Sequence, residues 1–342
     1  MLDERSRQVL FAVIQCYINS PGPVGSRVVT KKFPFGLSPA TIRNIMSDLE
    51  DNGYLMQPHT SAGRIPTDTG YRCFVDAITS EKQYLKAGVD FSAVNKRLEM
   101  LRKDINLFLD DASKMISSMS HYIGITQTPN AGVTTLNRIE LIKYRSNQVA
   151  VILFTDEGIM KNGIIEVDSG LSQDMLNRIS DYINSHFSGT SLDEIRSVLI
   201  GDMIREKVLC DNLIHEAIRL CKEVFSSAQG NVYISGLSGM LSLPDFCDIG
   251  RIKDLMHAIE DKQIMVEMLD KVAESEGTRI FIGSENPMSG MKQFSVVAST
   301  YQEGNRPAGV IGIIGPTRMN YLEAISIVDM TAKYITEMLS YK

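Results

Sequence analysis

The chain has 342 residues, 44% hydrophobic and 22% charged, with a net charge of -6. These values exclude a disordered chain, a collagen-like repeat and a disulfide scaffold, and the length suffices for two or three domains with buried cores. The longest apolar runs, Val149–Phe154 and Gly309–Gly315, stop well short of the roughly 18 residues of a membrane span, and Asp3, Glu4, Arg5 and Arg7 interrupt any leader pattern, so a cytoplasmic protein without a membrane partner is expected.

The five cysteines form an odd set with no CxxC spacing, and the five histidines lack HxxxH or HExxH spacing, so neither a metal site nor a disulfide framework is expected. Charge is unevenly placed: residues 1–80 hold eight Lys/Arg against seven Asp/Glu, while the remainder holds 27 against 34. A near-neutral first segment on an acidic body is compatible with local DNA binding.

From Arg5 to Ile18 apolar residues recur at helical spacing until Pro21-Gly22-Pro23 stops the helix. A short second helix starts near Ser26 and ends before Pro34. The third has a cap at Ser38, Pro39 at its first position, and an apolar stripe of Ile42, Ile45, Met46 and Leu49, with Gly53 placed to end it. Its opposite face carries Ala40, Arg43, Asn44 and Ser47, with Thr41 at the flank. Arg pairs bidentately with guanine, Asn with adenine, and the methyls of Ala or Thr pack on thymine.

Tyr54–Met56, a turn-rich stretch and Arg64–Pro66 then predict a hairpin whose His59, Thr60, Ser61 and Arg64 can donate to phosphates or enter a minor groove. A fourth helix carrying Tyr71, Phe74, Val75 and Ile78 closes a small core. This is the pattern of a winged helix-turn-helix over residues 1–80, although a polar helix face is also what plain solvation or protein binding would produce.

The stretch SPATIRNIMSDLEDNGYLMQPHTSAGRIPTDTGYR (38–72), with IGSENP (282–287) and GPTRMNY (315–321), resembles the HrcA family of bacterial heat-inducible transcription repressors. One departure is Ile45, where relatives tend to carry a polar or acidic residue; its place on the apolar stripe leaves the DNA-reading face unchanged. The resemblance implies a homodimer on double-stranded DNA at the inverted-repeat operator called CIRCE, repressing chaperone operons with the chaperonin as modulating partner. Ser38, which caps the helix, joins the DNA-binding set on this basis.

After a polar linker at Thr79–Gly88, apolar residues from Val94 to Met119 form a heptad seam, fitting either a coiled-coil contact or a helix lying on its own domain. Strand-like runs at 139–144, 148–154 and 163–167 predict a meander, and residues 172–228 return to helical spacing. Beyond Asn231, strands are predicted at 232–234, 279–282, 294–300 and 309–314, with helices at 251–274 and 319–340. The expected class is α+β multidomain: beside the winged helix, the family resemblance implies that these segments form a discontinuous GAF-like domain (89–137 and 229–342) and an inserted α+β dimerisation domain (138–228).

Gly309, Gly312 and Gly315 lack the GxGxxG spacing and are expected to serve close backbone packing, leaving Gly315–Arg318 as a weak anion site ahead of a helix. No cofactor is expected. A small-molecule-responsive GAF regulator is the alternative function; an enzyme relying on Cys210, Cys221 or Cys247 has no supporting motif.

Overall fold

The computed structural model describes residues 2–82, 105–128, 135–155, 160–167, 171–191, 194–195, 231–246, 249–260, 262–273, 277–304 and 306–340. Residues 83–88 of the predicted linker, the seam before residue 105, the helical spacing beyond residue 195, and Cys210, Cys221 and Cys247 lie outside them. The chain is mixed α+β and divides into two compact units, Met1–Thr128 with Val232–Lys342, and Pro129–Asn231.

In the first unit, α1 (Glu4–Asn19) is capped by Asp3, whose carboxylate accepts the Ser6 N–H at 2.7 Å. Helices α2 (Ser26–Lys32) and α3 (Pro39–Asp51) pack together and lead into the antiparallel pair β1 (Leu55–Met56) and β2 (Ile65–Pro66). Val24 joins this pair by two backbone hydrogen bonds with Arg64, at 2.8 and 2.9 Å. Thr67 then caps α4 (Asp68–Ser80). After α5 (Ile105–Ser120) comes a strand absent from the sequence reading, β3 (Ile123–Gln127).

The second unit contains the antiparallel sheet β4 (Leu136–Arg145), β5 (Gln148–Thr155) and β6 (Met160–Glu166), with α6 (Gln173–Phe187) on one face. Leu176, Ile179 and Ile183 of α6 meet Ile139, Leu141, Val149 and Leu153 in a separate core. The helix also satisfies the edge of β4: Asn184 exchanges two hydrogen bonds with the Ile139 backbone, and Gln173 bonds Lys143 N–H and Leu141 C=O. A sheet edge covered in this way is closed to further strands.

The first unit resumes with β7 (Val232–Ser235), α7 (Leu237–Leu241), α8 (Ile249–Glu260), α9 (Lys262–Ala273), β8 (Thr278–Ile282), β9 (Phe294–Glu303), β10 (Arg306–Pro316) and α10 (Tyr321–Ser340). The helix predicted over 251–274 corresponds to α8 and α9, with residue 261 between them outside the described residues. The strands form one antiparallel sheet in the order β7-β3-β10-β9-β8. Alternation along β9 and β10 sends Val297, Ile311 and Ile313 toward α5 and α10, and Val296, Ala298, Val310 and Ile314 toward α8 and α9. A sheet buried on both faces explains why these strands read as continuous apolar runs.

The core that includes α10 does not stop there. It continues through Tyr71, Phe74, Val75 and Ile78 of α4 into Val9, Leu10, Val13 and Ile14 of α1, so the N-terminal helices and the sheet share one apolar interior. The Tyr71 and Tyr321 rings meet at 5.7 Å. Polar bonds surround this contact. Arg72 Nε donates to Glu285 at 2.8 Å, and its guanidinium reaches the Ile280 carbonyl at 2.7 Å, while Asp68 accepts both the N–H and the hydroxyl of Ser284 at 2.9 and 2.7 Å. Partial burial works to raise the Glu285 carboxyl pKa, but hydrogen bonds from Arg72 and the Ile282 N–H, with the Arg72 charge, hold it below the ordinary value. Arg318 binds Asp245 through both carboxylate oxygens and the Ile18 carbonyl at 3.0 Å.

Close approach of α5 to β3 depends on Gly124, where a methyl would overlap the Ser113 carbonyl oxygen. Gly124→Ala is expected to cost ~1–3 kcal/mol in chemical denaturation. Gly22→Ala, with open space around it, should change stability by less than ~0.5 kcal/mol. Equal effects would contradict the packing described for β3.

Candidate nucleic-acid interface

Helix α3 forms because its start is doubly specified: Ser38 accepts the Thr41 N–H at 3.1 Å, and Pro39 occupies the first turn, where it sacrifices no hydrogen bond. Ile42, Met46 and Leu49 are buried, and Ile45 is half-buried against the same core. That burial leaves Ala40, Thr41, Arg43 and Asn44 exposed, with Ser47 half-buried. These candidates therefore share one accessible surface. The Ser38 hydroxyl also lies 2.9 Å from that of Thr41, so both are engaged in the cap.

The hairpin tip presents His59, Thr60 and Ser61 to solvent. Gln57, which the sequence reading passed over, organises this tip by donating to the carbonyls of Thr60 and Ala62 at 3.1 and 2.9 Å. Its signal was only a polar residue at a turn, which many residues share. Arg64 differs from the other tip residues. Its guanidinium pairs with Glu50 of α3 at 2.6 Å, its side chain is 18% exposed, and its backbone pairs with Val24. In this arrangement Arg64 fastens the hairpin to α3, and contact with a phosphate requires it to leave Glu50. Helix α2 adds exposed cations at Arg27, Lys31 and Lys32, also unassigned from sequence.

The remaining candidate chemistry resolves into packing. Methyl groups at Gly309 and Gly312 would overlap the Gln127 and Val297 carbonyls, as close strand packing requires. At Gly315–Arg318, the weak anion site expected ahead of the helix, the Arg318 side chain pairs with Asp245, and just beyond it the Asn320 N–H donates to the Tyr122 hydroxyl at 3.1 Å. Among the described residues no group of three or more His, Cys, Asp or Glu is placed to hold a metal, and no helix is long and apolar enough to cross a membrane. A groove of about 500 Å³ between β9 and α10 is lined by Ser299, Gln302, Lys333 and Thr336. Lys333 pairs there with Asp329.

The family model described as the HrcA protein C terminal domain matches residues 106–325. Relatives named heat-inducible transcription repressor HrcA include one from Thermodesulfovibrio yellowstonii, 39% identical over 99% of both chains, and one from Geobacter sulfurreducens, 40% identical over 99% of this chain and 98% of that protein. A crystal structure described only as a hypothetical protein superposes with a TM-score of 0.62 at 22% identity, covering 100% of this chain and 99% of its own. It establishes a shared fold. The fold is that of a mixed α+β protein, and the relatives that match end to end are transcription repressors. The chain belongs to the HrcA family.

A double-mutant cycle on Arg64→Ala and Glu50→Gln should give a coupling of about 0.5–1 kcal/mol, the upper part of the range for partly exposed pairs. A coupling of zero in thermal or denaturant melts would show that Arg64 does not fasten the hairpin.

Proposed function

We propose that residues 1–80 form a winged helix-turn-helix that binds double-stranded DNA, and that the protein is a repressor acting as a homodimer on an inverted repeat. The observation that carries this reading is the exposed set Ala40, Arg43 and Asn44 on the face of α3 opposite its buried stripe. Arg and Asn are the side chains that pair bidentately with guanine and adenine in a major groove. His59, Thr60 and Ser61 at the hairpin tip, with Lys31 and Lys32 on α2, are of the types that contact phosphate. Ser38 and Thr41 take part through the first turn of α3, Ser47 borders the reading face, and Arg64 contributes once released from Glu50.

A two-fold protein matches a palindromic operator. The family relationship supports taking that operator as CIRCE, the regulated genes as chaperone operons, and the chaperonin as modulator. The sheet of β3 and β7–β10 with helices on both faces is consistent with a GAF-like body over 89–137 and 229–342. The sheet of β4–β6, which lies almost wholly in 138–228, suits dimerisation. One of its faces is covered by α6, its β4 edge is closed by Asn184 and Gln173, and Ile142, Tyr144 and Ile164 stand exposed at 44, 55 and 56%. An exposed apolar sheet face of this kind marks an interaction surface.

Arg43→Ala and Asn44→Ala should each weaken operator binding by ~1–3 kcal/mol with melting temperature almost unchanged. Equal losses on operator and random DNA would reduce both to phosphate contacts. Ile142→Asp combined with Ile164→Asp should convert the dimer to a monomer in sedimentation while leaving the fold intact. An unchanged dimer would move the interface elsewhere.

A further inference from the structure

The bonds that join α4 to the 282–286 loop are made by residues outside the DNA-contacting set proposed above. Asp68 and Arg72 sit one turn apart on α4, and both reach the same short segment: Ser284 and Glu285, with Ile280 just before them. The segment is itself held from behind. The Asn286 amide is buried and donates to the carbonyls of Gly283, Met291 and Phe294 at 3.0, 3.1 and 2.6 Å. Gly283 has a φ of +50°, and a methyl there would strike the Asp68 carboxylate, so the loop is shaped to receive this side chain.

The apolar contact between Tyr71 and Tyr321 holds the N-terminal helices against α10, but apolar burial is non-directional and tolerates sliding and rotation. Directed hydrogen bonds from two points on α4 do not. They fix its angle against the sheet, and α4 shares a core with α1 and α3, so they fix the direction in which Arg43 and Asn44 project.

We propose that Asp68 and Arg72 are positioning residues that orient the recognition helix on the body and thereby select the spacing between operator half-sites. The inference rests on the DNA-binding dimer proposed above. In a dimer the two recognition helices must meet successive major grooves, and each base pair added between half-sites moves one of them by about 3.4 Å and turns it by roughly 35°. A fixed angle converts that geometry into a preference; a loose one averages over it.

The test uses the full-length dimer and a series of inverted repeats differing by one base pair in spacer length, together with a DNA bearing one half-site. Wild type should favour one spacing over its neighbours by at least about tenfold, in the usual range of energetic coupling between sites. The Asp68→Asn/Arg72→Gln variant should reduce that ratio below about threefold while its affinity for the single half-site stays within about twofold of wild type. Asp68→Asn alone, which keeps the side chain's size and weakens only its bonds to Ser284, should produce a partial flattening in the same direction, and melting curves of both variants identify any folding defect. A wild-type spacing profile in either folded variant overturns the inference, as does an equal loss on the single half-site, which marks a merely structural role. Failure of wild type to bind any inverted repeat overturns the DNA-binding reading and this inference with it.

Discussion

Everything on the N-terminal side of this molecule depends on the burial of α4 against α10. Tyr71, Phe74, Val75 and Ile78 are each no more than 3% exposed in a core shared by α1, α3 and α10, with the Phe74 ring against Phe11 of α1 and the Tyr71 ring against Tyr321 of α10. A large apolar side chain buried to that extent contributes roughly 1.5–3 kcal/mol. The partly exposed Arg72–Glu285 pair contributes about 0–1 kcal/mol. Apolar packing therefore supplies the attachment, and the polar bonds of Asp68, Arg72 and Arg318 determine its orientation.

A segment with one side consumed in this way has a free side of defined composition. The stripe of α3 that faces the shared core is Ile42, Met46 and Leu49, which leaves Ala40, Thr41, Arg43 and Asn44 of its first turns to solvent, with Asp48 and Asp51 further along. The accessible face of α3 thus follows from the packing. It also follows that the N-terminal helices are not an independent module on a tether: loss of the body would uncover the Tyr71 ring and strip Asp68 and Arg72 of their partners. Apolar surface exposed in that state is of the kind that chaperones bind.

The local features of this architecture were legible in the amino-acid sequence because their causes are local. The Ser38-Pro39 start of α3, its apolar stripe, and the short apolar runs of β5 and β9 depend on neighbours a few residues away. What escaped has distant causes. Strand β3 holds only two large apolar residues, Ile123 and Ile125, and is a strand because β7 and β10 flank it. Asp68 and Ser284 are 216 positions apart, and Arg318 and Ile18 are 300 apart, so nothing in their surroundings pairs them. IGSENP and GPTR stood out as family signatures, yet only the fold assigns them to holding the N-terminal helices. For Arg64 the sequence supplied the right residue type at a hairpin but could not reveal Glu50 as its partner.

The claim that α1–α4 and the body form one cooperative structure is tested most directly by native-state hydrogen exchange on the full-length protein in rising denaturant. If the core is shared, the most protected amides of α1 and α4 will open with the same free energy and the same denaturant dependence as those of β9 and β10. Opening of α1 and α4 at clearly lower free energy, with the sheet amides still protected, would contradict the shared core and leave the N-terminal helices a separate folding unit.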